Sequence, residues 1–187
     1  AEGKVHQPLN PDRITSWEAC GVTDDFVWTN EDLKTFQGVY QGNHHVISGA
    51  LFCGSSAGLI SSLEGAVVNL RMEHCASIAK TLCQAIVVGE SSGTVSNCSV
   101  SDSIVVSADT NAYTGAIVGL AKLNSVISYN TSENNRIMND GNAAGGIVGQ
   151  SDVSVRDCLV NGGDVSGEES TGGIVGTVTN SAEGICI

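Results

Sequence analysis

Residues able to bind metal or do covalent chemistry are few in this chain, and their spacing keeps them apart. His44 and His45 are adjacent. Neighbours on a strand project to opposite faces, so the two imidazoles do not converge on one ion. They read as polar residues beside a turn, and His6 and His74 stand alone. Seven cysteines, at 20, 53, 75, 83, 98, 158 and 186, contain no CxxC pair, which removes the usual zinc spacing. Asp102, Asp109 and Asp164 are scattered over turns, and Glu168 and Glu169 share a loop. Arg71 and Arg156 lie near one column of the repeat, with Ser96 and Ile127 intervening. Glycan-cleaving enzymes need convergent carboxylates, or carboxylates beside Arg or Lys. No HExxH, GxSxG, P-loop or EF-hand pattern occurs. The expectation is therefore no catalytic residue, no metal ligand, no cofactor and no enzyme.

The elements that would position such residues are repeated. QAIVVG ends at Gly89, TGAIVG at Gly119, AGGIVG at Gly149 and TGGIVG at Gly176, with a weaker copy, AGLIS, ending at Ser61. The copies recur every 27–30 residues. Each is followed by a second matching segment: GAVVNLRM from 65, GTVSNCSV from 93, NSVISYNT from 124 and SVRDCLV from 154. Aligned, Asn69, Asn97, Ser128 and Asp157 share a column, and Leu70, Cys98, Tyr129 and Cys158 share the next, with one extra residue allowed in the third copy. The apolar runs are four to eight residues, β-branched, and bounded by Gly, Asn, Ser and Asp, which are strand and turn signals. One such repeat cannot bury its apolar face alone, whereas stacked repeats can. The reading is an all-β parallel β-helix, right-handed, of about five coils, with Ile86, Ile117, Ile147 and Ile174 as an interior ladder. The Asn column suits a left-handed corner, where Asn and Asp are tolerated. Asn97 and Asn130 also head glycosylation sequons, Asn97 with its side chain expected in the ladder.

Stacking constrains the thiols. Cys98 and Cys158 share a column two coils apart, about 9.6 Å at the strand spacing, beyond disulfide reach. Cys186 lies ten residues after Gly176, as Tyr129 lies ten after Gly119, so it stacks on Cys158. Cys53, Cys75 and Cys83 cluster in the first coils. Disulfide candidates are thus Cys53, Cys75, Cys83, Cys158 and Cys186, and Cys20 has no assignable partner. An extracellular chain would form some of them. The alternative is that several are small buried core residues.

Composition narrows the partners. The chain has 187 residues, 23 of them Gly, only 8 Lys plus Arg, and a net charge of −12. No basic stripe exists to neutralise phosphate, which argues against nucleic acid and anionic membrane surfaces. No apolar run approaches the ~20 residues that span a bilayer. Absence of a charged-then-apolar leader fits either a mature secreted chain or an excised piece.

Residues 36–51, FQGVYQGNHHVISGAL, resemble the F-x-G-x-x-D-G-N-G-H-x-I-x-G-L lead-in that precedes GLUG-type repeats. GGIVG followed by G-x-V-x-N-C resembles the GLUG motif itself, over roughly 29–187. Gln41 stands where the family often has Asp, and His44 replaces a Gly. The resemblance implies a parallel β-helix in a bacterial surface protein, adhesin-like or the non-catalytic region of an IgA-specific metallopeptidase. It does not imply catalysis.

Three regions follow: an N-terminal arm or cap (1–28), a capping helix with lead-in strands (29–57), and repeats at 58–84, 85–114, 115–144, 145–171 and 172–187. Thr29 or Asn30 would cap the helix, with Leu33 and Phe36 on one side. The last copy ends on apolar Gly184, Ile185, Cys186 and Ile187, an expected assembly edge. The functional expectation is a non-enzymatic, secreted or cell-surface structural protein that stacks head-to-tail on itself. The alternatives are an adhesion or glycan-binding module of a larger surface protein, and a polysaccharide-active enzyme.

Overall fold

The computed structural model describes residues 35–54 and 57–179. The chain winds through five coils of short strands. Coil 1 holds β1 (Val39–Gln41), β2 (Val46–Ser48), β3 (Leu51–Gly54) and β4 (Ile60–Leu63). Coil 2 holds β5 (Ala66–Val68), β6 (Arg71–Glu73), β7 (Ala76–Ala79), β8 (Cys83–Gln84) and β9 (Val88–Ser91). Coil 3 holds β10 (Thr94–Ser96), β11 (Ser99–Ser101), β12 (Ile104–Ser107), β13 (Tyr113–Gly115) and β14 (Val118–Ala121). Coil 4 holds β15 (Val126–Ser128), β16 (Thr131–Glu133), β17 (Arg136–Asn139), β18 (Ala143–Gly145) and β19 (Val148–Ser151). Coil 5 holds β20 (Val155–Arg156), β21 (Leu159–Asn161), β22 (Asp164–Gly167), β23 (Ser170–Gly172) and β24 (Val175–Val178).

Each strand pairs in parallel with its equivalent one coil away, giving five sheets. We call them sheets I to V, running β1-β5-β10-β15-β20, β2-β6-β11-β16-β21, β3-β7-β12-β17-β22, β8-β13-β18-β23 and β4-β9-β14-β19-β24. The chain is a parallel β-solenoid, and its described part contains no helix. The lead-in segment is itself the first coil: β1 and β2 flank the Gly42–Asn43 turn but each pairs with coil 2, not with the other. The expected capping helix falls largely on 1–34, outside the described residues. Phe36, placed on that helix by its sequence, instead forms a parallel bridge to Leu63.

The core is a set of stacked columns. Val67, Val95, Ile127 and Val155 form one, and Ile86, Ile117 and Ile147 another, all solvent-excluded, with Ile174 partly buried on top. The repeated glycines explain themselves at the junction of sheets IV and V. A Cβ on Gly119 would lie 2.5 Å from the Gln84 nitrogen, and one on Gly149 would overlap the Thr114 nitrogen. Backbone meets backbone there, so GGIVG encodes a close approach rather than a special φ.

The register corrects the sequence alignment in coil 4. Ser96 pairs with Ser128, so Tyr129, not Ser128, joins the column of Asn69, Asn97 and Asp157. Asn130, not Tyr129, joins Leu70, Cys98 and Cys158. The cause is a turn longer by two residues, not one: Ser92–Gly93 in coil 3 becomes 122–125 in coil 4. Arg71 and Arg156 prove to lie in different sheets, II and I.

Candidate functional site

Each coil bends twice by the same device. A residue with positive φ turns the chain, and the residue after it, where it is Asn, Cys or Ser, bonds the backbone through its side chain. At the first bend the turning residues are Asn69, Asn97, Tyr129 and Asp157, with φ of 56, 53, 57 and 51°. At the second they include Gly49, His74, Asp102, Asn134 and Gly162. His74 is thus a corner residue, of a type that tolerates left-handed backbone.

The inward residues are Leu70, Cys98, Asn130 and Cys158 at the first bend, and Ala50, Cys75, Ser103 and Asn135 at the second, where coil 5 has Gly163. Asn130 accepts from the Cys98 N–H (3.0 Å) and donates to the Val95 carbonyl (2.9 Å). Asn135 does the same for the Ser103 N–H (2.9 Å) and the Val100 carbonyl (2.8 Å). The polar ladder therefore runs inside the corner, and the two sequons exchange roles: Asn130 is buried with its amide engaged, whereas Asn97 is exposed. Asn97 does bond its column neighbour, donating to Asn69 Oδ1 at 2.6 Å.

The cysteines belong to the same device. Cys75, Cys98 and Cys158 each donate to the carbonyl two residues back, at 3.2–3.4 Å, as Ser103 Oγ does to Ser101. Cys53, Cys75, Cys83, Cys98 and Cys158 are all free thiols. Cys53, Cys75 and Cys83 occupy different columns: the outer side of sheet III, the second bend and the start of sheet IV. Asn130 stands between Cys98 and Cys158. Cys20 and Cys186 lie outside the described residues. Burial pushes the thiols of Cys75, Cys98 and Cys158 up, against smaller lowering by backbone hydrogen bonds. Cys83 is pushed up to about 12, by burial first and by Glu90 second. A nucleophilic cysteine needs the opposite shift.

Other ionisable groups do not converge. No group of three or more metal-ligating side chains occurs among the described residues. His44 and His45 are exposed at the Gly42–Asn43 turn. Arg71 pairs with Glu73 on its own strand at 3.0 Å. A small open polar cleft, which sequence reasoning missed, forms where sheet V turns into sheet I. There Lys122 Nζ lies 2.8 Å from Glu90 Oε2, and Ser62 Oγ donates to Glu90 Oε1 at 3.1 Å. Both Glu90 oxygens are engaged and the pair is half-exposed, so the cluster stabilises a turn rather than holding a proton in readiness. Its residues come from three coils, which only the register brings together.

The remaining features are surfaces. The core columns lose cover at both described ends. Tyr40, Ile47 and Phe52 in coil 1, and Val160, Val165, Ile174 and Val175 in coil 5, are only partly buried. The strands of coils 1 and 5 pair on one side only among the described residues. Gly184, Ile185, Cys186 and Ile187, the expected edge, lie outside the described residues. Tyr129 is 61% exposed at its corner. No helix is long and apolar enough to cross a membrane among the described residues. Compared with family models, curated proteins and solved structures, the chain matches none.

Proposed function

We propose that this chain is a non-enzymatic extracellular structural module whose coils are continued by a second copy, stacked head to tail. The observation that carries the reading is the matched loss of cover at the two ends of the described coils. Tyr40, Ile47 and Phe52 head the columns that Val155, Val160 and Val165 terminate. A copy translated along the axis would meet the same columns in the same strand direction, and such a heterologous contact does not close. Right-handed winding, the usual sense of parallel crossovers, and the bacterial surface setting implied by the GLUG-like motifs belong to the same reading.

Sedimentation velocity across concentration, with negative-stain microscopy, tests it. Wild-type protein is expected to form linear oligomers that Val160→Lys and Val165→Lys abolish. A monomer at every concentration overturns the reading. A second reading, adhesion through glycans, draws support from Tyr129, an exposed aromatic at a left-handed corner where the adjacent coils have Asn97 and Asp157. Glycan-array binding lost in Tyr129→Asn is its expected signature.

A further inference from the structure

Sheet III carries a second apolar cluster that does not belong to the solenoid interior. Along β7 and β12 the inward side chains are Ser77 and Val105, in line with Phe52, Ile137 and Val165. Ala76, Ile78, Ile104 and Val106 alternate with these and so face outward. An outward isoleucine on a solenoid is normally wet. Yet Ala76, Ile78 and Ile104 are 0% exposed and Val106 is 6%. They form a separate cluster, and the hydrophobic residue packed against it is Met138 of the same sheet. The loops after β7 and β12 do not supply the cover with apolar groups: Lys80, Leu82, Thr110 and Asn111 are exposed. The shielding fades along the axis. Leu51 in coil 1 is 45% exposed, Arg136 and Met138 in coil 4 are half-buried, and Asp164 and Ser166 in coil 5 are exposed.

Burial this complete calls for a cover beyond Met138. Three stretches lie outside the described residues: 1–34, 55–56 and 180–187. Ser55 and Ser56 are two small polar residues. Residues 180–187 follow coil 5, where the same outer face is polar and exposed. Residues 1–34 lead into coil 1, about 10 Å along the axis from coil 3 at the strand spacing, and an extended chain of that length reaches ~110 Å. They contain Trp17, Phe26, Val27, Trp28 and Leu33, including both tryptophans of the protein. They are also acidic, with Glu2, Asp12, Glu18, Asp24, Asp25, Glu31 and Asp32 against Lys4, Arg13 and Lys34. Arg136, at the rim of the patch, keeps its Nε buried without a hydrogen-bond partner. Aromatic side chains for the apolar centre and carboxylates for the rim make the segment complementary to the face.

We propose that the outer face of sheet III over coils 2 and 3 is the docking site of the chain's own N-terminal segment, residues 1–34, held by its aromatic residues. The segment thus belts the solenoid on one side. The proposal is independent of head-to-tail stacking.

Because both tryptophans lie in the segment, their emission reports on it alone. Acrylamide quenching of the full-length protein compares wild type with Ile104→Asp and Val106→Asp, and with Ser166→Asp as a control on the same face of coil 5. Shielded tryptophans in wild type and the control, with quenching raised several-fold in the two patch variants at unchanged far-ultraviolet dichroism, are expected. Equal quenching in all four overturns the proposal, as does shielding that vanishes on dilution, which would assign the patch to a second copy. If the patch variants fail to fold, a photoreactive methionine analogue decides the matter in the wild-type sequence. Met138 is expected to cross-link to peptides of 1–34 within the monomer. Cross-links to 180–187, or none within the chain, overturn it.

Discussion

Tyr129 occupies a backbone conformation that costs an ordinary L-residue roughly 1 kcal/mol, and its column partners are Asn69, Asn97 and Asp157. Tyr129→Asn is therefore expected to stabilise the protein by up to about 1 kcal/mol, read as a higher urea midpoint. His44 is also left-handed, at φ 61°, and His44→Gly removes the same kind of strain. The thiols give a pH dependence. A cysteine whose pKa is raised on folding stays neutral while its unfolded counterpart ionises from about 8.5 upward. Stability is then full below about pH 8.5 and falls as pH rises toward 12, the value to which Cys83 is pushed. Urea midpoints measured from pH 7 to 10.5 should decline, and Cys83→Ala should flatten the slope at the high end. A midpoint rising over that range would contradict buried, neutral thiols.

At the scale of the strand and turn, much was legible. β-branched runs between Gly and Asn gave the parallel coils, and the isoleucine ladder stacks as its spacing required. Alignment by pattern slips in coil 4 because a turn insertion breaks no strand period: Leu123 and Asn124 are exposed in the turn, so nothing in the alternation counts them. The same slip puts Tyr129 rather than Asn130 in the core column, since a one-residue shift exchanges corner and core. The covered face of sheet III had a signal that alternation alone overlooks. ASIA in β7 and IVVS in β12 carry small or apolar residues on both parities, the mark of a strand buried on two sides. Two substitutions test the elements. Gly149→Ala places a methyl group against the Thr114 backbone and is expected to cost ~3 kcal/mol or more, whereas Gly173→Ala meets nothing within 4 Å and should be near neutral. Asn135→Ala removes the acceptor of the Ser103 N–H in the corner, and a loss of about 1–3 kcal/mol in unfolding free energy is expected, read as a lower urea midpoint.

For the whole molecule, stability is a sum of coils and the interfaces between them. Each interface here joins four or five parallel strand pairs over a continuous column of Val and Ile. Among the described residues the end coils have strand partners on one side only, and Tyr40, Ile47, Phe52, Val160 and Val165 there are only partly buried. Thermal melts should therefore shift upward with protein concentration if a second copy supplies the missing interface, by the mass-action linkage of binding to folding. A melting temperature independent of concentration over a hundredfold range would leave the coils to stand alone.

The free thiols have a practical consequence. Cys53 sits in coil 1, Cys75 and Cys83 in coil 2, Cys98 in coil 3 and Cys158 in coil 5. Because they are free, the buried thiols of Cys75, Cys83 and Cys98 become reactive toward an alkylating reagent when their own coils open, while Cys53 and Cys158 are already partly accessible. Labelling rates followed cysteine by cysteine would read the order in which the coils fray, with no probe added to the chain. Cys158 should label ahead of Cys98, since it is partly exposed in an end coil while Cys98 is enclosed between neighbours on both sides.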